Sequence, residues 1–124
     1  GLASWIYAMF QDVGGTPGDA EATFTHDELL DDIMLYWIPG AGASSARLYW
    51  EAAQETPGHR GANPTPLGVS VFPREPVRAS RRWIESRYEH VVHHRVHDRG
   101  GHFAALEQPA ALVEDIRATF VGLR

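Results

Sequence analysis

The 124-residue chain contains no cysteine, which excludes a disulfide scaffold, a thiolate metal centre and a cysteine nucleophile. It contains no lysine either, and all eleven basic residues are arginine. With its many Ala, Gly and Pro residues, this composition points to a GC-rich, bacterial coding sequence and carries no chemistry of its own. No apolar run approaches the roughly 20 residues that a helix needs to cross a bilayer. The first residues also lack a basic start and a cleavage pattern, so a cytoplasmic chain without membrane attachment is expected. Positive charge is scarce: the formal net charge is −5, which argues against non-specific nucleic-acid binding, because that depends on neutralising phosphates. The length admits one domain at most, and the 44% apolar content is ordinary for a globular chain.

Arginine is also unevenly placed. Residues 1–57 carry nine acidic residues against the single Arg47, whereas residues 58–124 carry seven against ten arginines. Two subregions with different surroundings are implied. Residues 2–11 read as an amphipathic helix with Leu2, Trp5, Ile6, Met9 and Phe10 on one stripe, stopped by the Gly/Pro-rich run 14–19. Thr25 and Glu28 have the spacing of a capping box, with Phe24 and Leu29 placed as a hydrophobic staple. The helix that follows is predicted to turn Leu29, Leu30, Ile33, Met34 and Trp37 inward and to end at Pro39-Gly40. A third helix is predicted from a cap at Ser44 or Ser45, through Leu48, Tyr49 and Trp50, to a stop before Pro57-Gly58.

The pattern then changes. A Pro- and Gly-rich stretch, 57–68, leads into a short β-type run, Gly68–Phe72, ended by Pro73. Pro76 is predicted to open a helix carrying Val77, Trp83, Ile84 and Tyr88. Val91–Val96 reads as a second strand, Gly100-Gly101 as a loop, and Pro109 as the start of a last helix with Leu112, Val113, Ile116 and Phe120 facing a core. Strand–helix–strand–helix order implies an α/β fold with parallel strands joined by a right-handed crossover. Two parallel strands are too few to stand alone, so the chain is expected to be the C-terminal portion of a larger α/β protein. In isolation it is expected to form a homodimer or to swap segments across the exposed strand edge. The alternative is a complete small α+β domain.

In open parallel sheets, ligands sit outside the carboxyl ends of the strands. Glu75 follows the first strand directly, and His102 follows the second at the tip of the Gly-Gly loop. Neighbouring strands bring both to one edge. A carboxylate on one imidazole nitrogen fixes the tautomer and leaves the other nitrogen to take a proton. The competing reading makes Glu75 a solvated acid at a helix start and His102 an ordinary loop histidine. His90, His93, His94 and His97 suggest zinc. However, strand alternation puts His93 and His97 on one face and His94 on the other, and no spacing matches a structural site. No metal and no cofactor is expected.

Residues Arg99–Pro109, containing Gly100-Gly101-His102-Phe103, resemble the catalytic-histidine loop of the microsomal-type epoxide hydrolases, members of the α/β-hydrolase fold superfamily. Phe72-Pro73-Arg74-Glu75 resembles that family's charge-relay acid segment, 27 residues before the histidine. Asp27–Leu30, Met34–Trp37 and Ser44–Tyr49 resemble its lid helices. The resemblance covers nearly the whole chain. It implies a partial α/β-hydrolase fold, with the C-terminal helices of the lid at 1–56, a linker at 57–66 and the C-terminal part of the core at 67–124. It further implies a small-molecule epoxide as substrate, hydrolysed to a vicinal diol without cofactor in biosynthesis or detoxification. His102 would be the base, Glu75 its acid partner and Tyr49 the lid proton donor. Tyr36, Trp37, Trp50 and Phe103 would line the substrate pocket, with plain core packing as the competing role of Tyr36 and both tryptophans.

The chain departs from that family pattern in several places. The nucleophile there is an aspartate in a glycine-flanked turn, and none of the seven aspartates here has that setting; no Gly-x-Ser-x-Gly occurs either. The His-Gly-x-Pro segment of the family and an earlier lid tyrosine are also missing. The missing N-terminal part of the fold is therefore expected to supply the nucleophile, and the chain alone is expected to be inactive. Another α/β-hydrolase, an esterase or dehalogenase, is a near alternative. A non-catalytic interaction or His-based metal-binding module is a more distant one.

Overall fold

Three helices occupy the first half. In the computed structural model, which describes residues 1–54 and 62–122, they are α1 (Leu2–Val13), α2 (His26–Trp37) and α3 (Gly42–Gln54). The start of α2 follows from its local chemistry. Thr25 Oγ1 accepts from the Glu28 amide at 3.2 Å, and the Glu28 carboxylate accepts from the Thr25 amide at 2.8 Å. Phe24 and Leu29, on either side of this box, are both buried in the same cluster. That cluster also holds Ile6, Phe10 and Ala20, with Leu2, Trp5, Tyr7, Ile33, Tyr36 and Phe103 packed around it.

Only the α1-facing stripe of α2 is covered. Leu29, Ile33 and Tyr36 face the cluster, whereas Leu30, Met34 and Trp37, predicted to point inward, are exposed, Trp37 at 68%. The expectation of a wider buried face fails because a single neighbouring helix covers only a stripe of roughly 100°. Helix α3 starts earlier than a Ser44 or Ser45 cap would allow. The hydroxyls of Ser44 and Ser45 donate back to the carbonyls of Ala41 and Gly42 instead of capping. The predicted stop before Pro57-Gly58, and the linker as far as residue 61, lie outside the described residues.

The second half contains β1 (Leu67–Val71), α4 (Arg81–Glu85), β2 (Val91–Val96), α5 (Ala104–Glu107) and α6 (Pro109–Phe120). The two strands pair in parallel, with Val69 opposite His94 and Val71 opposite Val96. Pro76 does not open a helix. Ser80 is the cap of a single turn, accepting from the Trp83 amide; Val77 is exposed and Ile84 is buried. A serine hydroxyl that captures an orphan amide sets a helix start more sharply than a proline merely compatible with one.

Helix α6 packs closely over β1, because a Cβ on Gly68 would fall within 2.0 Å of Thr119 Oγ1. The residue it buries is Asp115, 1% exposed, while Val113, Ile116 and Phe120, predicted to face a core, are exposed. Asp115 Oδ2 accepts from Ser70 Oγ at 2.7 Å and pairs with His97 Nε2 at 2.6 Å. His93 Nε2 approaches Oδ1 to 3.1 Å, at ion-pairing distance but outside hydrogen-bond geometry. Burial works to raise the Asp115 carboxyl, but the hydrogen bonds from Ser70 and His97 and the proximity of His93 outweigh it and hold the group at about 2. The helix turns its acid inward because the strands below offer donors rather than a bed of methyl groups. No helix among the described residues is long and apolar enough to cross a membrane.

Candidate active site

Parallel pairing of β1 and β2 brings the segments that follow them to one edge. After β1, Phe72 is buried and the chain turns, with the Glu75 amide donating to the Phe72 carbonyl at 3.2 Å. After β2, the chain reverses at Gly100, whose φ of +103° lies in the region that favours glycine. The Arg74 amide donates to the Gly100 carbonyl at 3.1 Å, stitching the two turns together. Gly101 follows with no room for a side chain, since a Cβ there would lie 2.6 Å from the Val13 carbonyl oxygen.

His102 then stands beside Glu75. Its Nδ1 lies 2.9 and 3.0 Å from the two carboxylate oxygens. An ionised carboxylate only accepts, so Nδ1 is the donor here, and in the neutral imidazole this tautomer leaves the lone pair on Nε2. Among the described residues, Nε2 has no hydrogen-bond partner. The His102 backbone is held as well, its amide donating to the carbonyl of Val13 at the end of α1 at 3.0 Å.

The imidazole opens onto a cavity of about 200 Å³ between the two halves. Tyr36, Tyr49 and Phe103 line it together with Trp5, Met9, Asp32 and His102. Trp5 sits edge-on to both tyrosines, with ring centroids 6.5 Å from Tyr36 and 5.8 Å from Tyr49. Phe103 stacks on Phe10 at 4.1 Å, so the residue after the histidine is anchored in the helical core. Trp37 and Trp50 do not line this cavity. Both are about two-thirds exposed, and Trp37 borders a separate groove beside Leu2 and Gly42. Residue type at helical spacing does not say which helix face meets a neighbour.

Asp32 was absent from the sequence-based candidates. It lies one helical turn before Tyr36, and burial raises its carboxyl above the ordinary aspartate value. The i, i+4 spacing to a candidate tyrosine was the available signal. Of the four histidines that suggest zinc, His93 and His97 meet on the two oxygens of Asp115. Among the described residues, no group of three or more potential ligands is arranged to hold a metal ion.

No protein-family profile matches the chain. Known proteins do. A provisionally named epoxide hydrolase of Stigmatella aurantiaca is 48% identical over all of the chain, which spans 28% of that protein. Epoxide hydrolase 1 of Sus scrofa is 36% identical over 98% of the chain and is spanned to 27%. The crystal structure of juvenile hormone epoxide hydrolase from the silkworm Bombyx mori superposes with a TM-score of 0.84 at 26% identity, over 99% of the chain and 33% of that structure. The chain thus spans between about a quarter and a third of the length of these relatives, and its architecture is a fragment of the α/β-hydrolase fold.

Proposed function

The chain belongs to the epoxide hydrolase family, corresponding to the C-terminal part of its microsomal-type members, and from that premise we propose that it supplies the base, its acid partner and an oxygen-side donor for opening an epoxide to a vicinal diol. The observation that carries this reading is the Glu75–His102 pair at 2.9–3.0 Å, opening onto the cavity that Tyr49 also lines. In this reading residues 1–56 belong to the lid, 57–66 link, and 67–124 belong to the core.

The proposed cycle begins with a carboxylate from a part of the fold outside this chain. It attacks one epoxide carbon, breaks that C–O bond and forms an alkyl ester. The Tyr49 hydroxyl donates to the departing oxygen and gives it a proton, stabilising charge where it develops. His102 Nε2 then takes a proton from water as the hydroxide adds to the ester carbonyl, while Glu75 stabilises the imidazolium. Collapse releases the diol, protonated by the imidazolium. The proton of the regenerated carboxylic acid returns to Tyr49, so one water is consumed. Tyr49 favours an epoxide over a carboxylic ester or alkyl halide, because only the ring oxygen needs this donor. No aspartate of the chain lies in a glycine-flanked strand-to-helix turn, since Asp98, which follows β2, sits between His97 and Arg99, and the isolated chain is proposed to be inactive.

The test is a chimera in which this chain replaces the matching segment of the Stigmatella aurantiaca protein. With styrene oxide, the chimera is expected to turn over. Its His102→Gln variant is expected to stall as an ester, heavier by one epoxide in intact-protein mass spectrometry, with turnover down about 10²–10⁴-fold. A chimera that stays inactive while its parent turns over, or a His102→Gln form that turns over normally, overturns the reading.

A further inference from the structure

Glu107 closes the four-residue helix α5, which is too short to pair the amides at its own start within the helix. Its carboxylate folds back on the histidine loop. Oε2 accepts from the Gly101 amide at 2.7 Å, and Oε1 accepts from the Phe103 amide at 3.1 Å. One carboxylate therefore holds the residues on both sides of His102, while the His102 amide itself is held by the carbonyl of Val13. The same carboxylate rests against the other half of the molecule, where a Cβ on Gly15 would fall 2.5 Å from Oε2. The half-buried acid is thus wedged between the turn after α1 and the loop that carries the imidazole.

We propose that Glu107 is the positioning residue of the base, clamping the backbone on either side of His102 and locking that loop to the turn at Gly14-Gly15. The proposal rests on the reading of His102 as base and adds the element that sets its orientation. Two charge-assisted hydrogen bonds from one rigid group define the loop more sharply than two separate neutral ones. Because the imidazole is half-exposed, it lacks the packing that fixes a buried side chain, and its direction depends on this clamp and on Glu75.

Two variants of the 124-residue chain test the clamp. Glu107→Gln keeps shape but offers one accepting oxygen, and its NH₂ confronts the second amide. Hydrogen exchange at Gly101 and Phe103 should rise about tenfold, with exchange at Leu29 in α2 unchanged. The imidazole ¹⁵N spectrum of His102 should pass from a single Nδ1–H tautomer to a mixture. Gly15→Ala leaves charge and loop sequence intact and displaces the carboxylate from the opposite side. It should shift the imidazole spectrum in the same direction, and it decides the matter if Glu107→Gln does not fold. An imidazole spectrum unchanged in either folded variant overturns the proposal, even where amide exchange rises, because Glu107 is then a local cap only. Both measurements precede turnover. Hence an inactive chimera alongside a disturbed imidazole defeats the hydrolase reading and leaves the clamp standing.

Discussion

The two halves of the molecule bury different things. The helical half closes over hydrocarbon: Ile6, Phe10, Ala20, Phe24 and Leu29 form its interior, with Phe10 and Phe24 edge to face at 4.8 Å. The strand half closes over a carboxylate, with Ser70, His93 and His97 gathered on Asp115 between α6 and the sheet. Phe72 and Ile84 are buried there, but many of its apolar side chains face outward: Val92, Val96, Val113, Ile116 and Phe120 are all exposed. The first half therefore carries its own apolar core. The second is held by a polar clasp and presents its apolar faces outward, as expected for a piece of a wider sheet. His102 lies where the halves meet, its neighbour Phe103 in the hydrocarbon and its partner Glu75 on the strand side.

This contrast makes graded predictions. Phe10→Ala removes the ring on which both Phe24 and Phe103 pack, so it should cost about 3–5 kcal/mol in urea unfolding, with little dependence on pH. A cost below about 1 kcal/mol would mean that the helical half does not rest on this core. Asp115→Asn leaves Ser70 and His97 competing for a single uncharged acceptor and should cost about 2–4 kcal/mol. A neutral result would show that the clasp is ornamental.

Acid titration sharpens the contrast further. The Asp115 carboxyl is held at about 2, below its ordinary 3.8, so the folded state favours the ionised form. The stabilisation, about 2 kcal/mol, is complete above about pH 5 and lost as the pH falls through about 2. Asp115→Asn should flatten the stability profile in that window, whereas Phe10→Ala should leave its shape unchanged. The smallest effect is expected at the cap of α2, where Thr25→Ala should cost about 1 kcal/mol by thermal unfolding. Equal acid sensitivity of Thr25→Ala and Asp115→Asn would blur the distinction between the halves.

Much of the site was legible from order along the chain. Parallel strands send their following loops to one edge, so strand order alone brings Glu75 and His102 together. The Thr25–Glu28 box, the bounds of β2 and the opening of α6 at Pro109 were also readable, because each depends on residues within a few positions of one another. The inward face of α6 was not readable. Leu112, Val113, Ile116 and Phe120 make a persuasive apolar stripe, and Asp115 between them is visible as a buried group only once Ser70 and His97 lie beneath it. Asp32 and Trp5 were missed as cavity residues for the same reason, since neither touches His102 or Tyr49 in sequence.

Local chemistry thus settles where the elements start and stop and which loops carry an acid and an imidazole, because turns, caps and strand direction are short-range properties of the backbone. Which carboxylate is buried, which tyrosines share a cavity with the imidazole and which acid clamps its loop were decided by packing between segments far apart in the chain. Burial and hydrogen-bond pairing are properties of a neighbourhood, and here that neighbourhood is assembled from both halves.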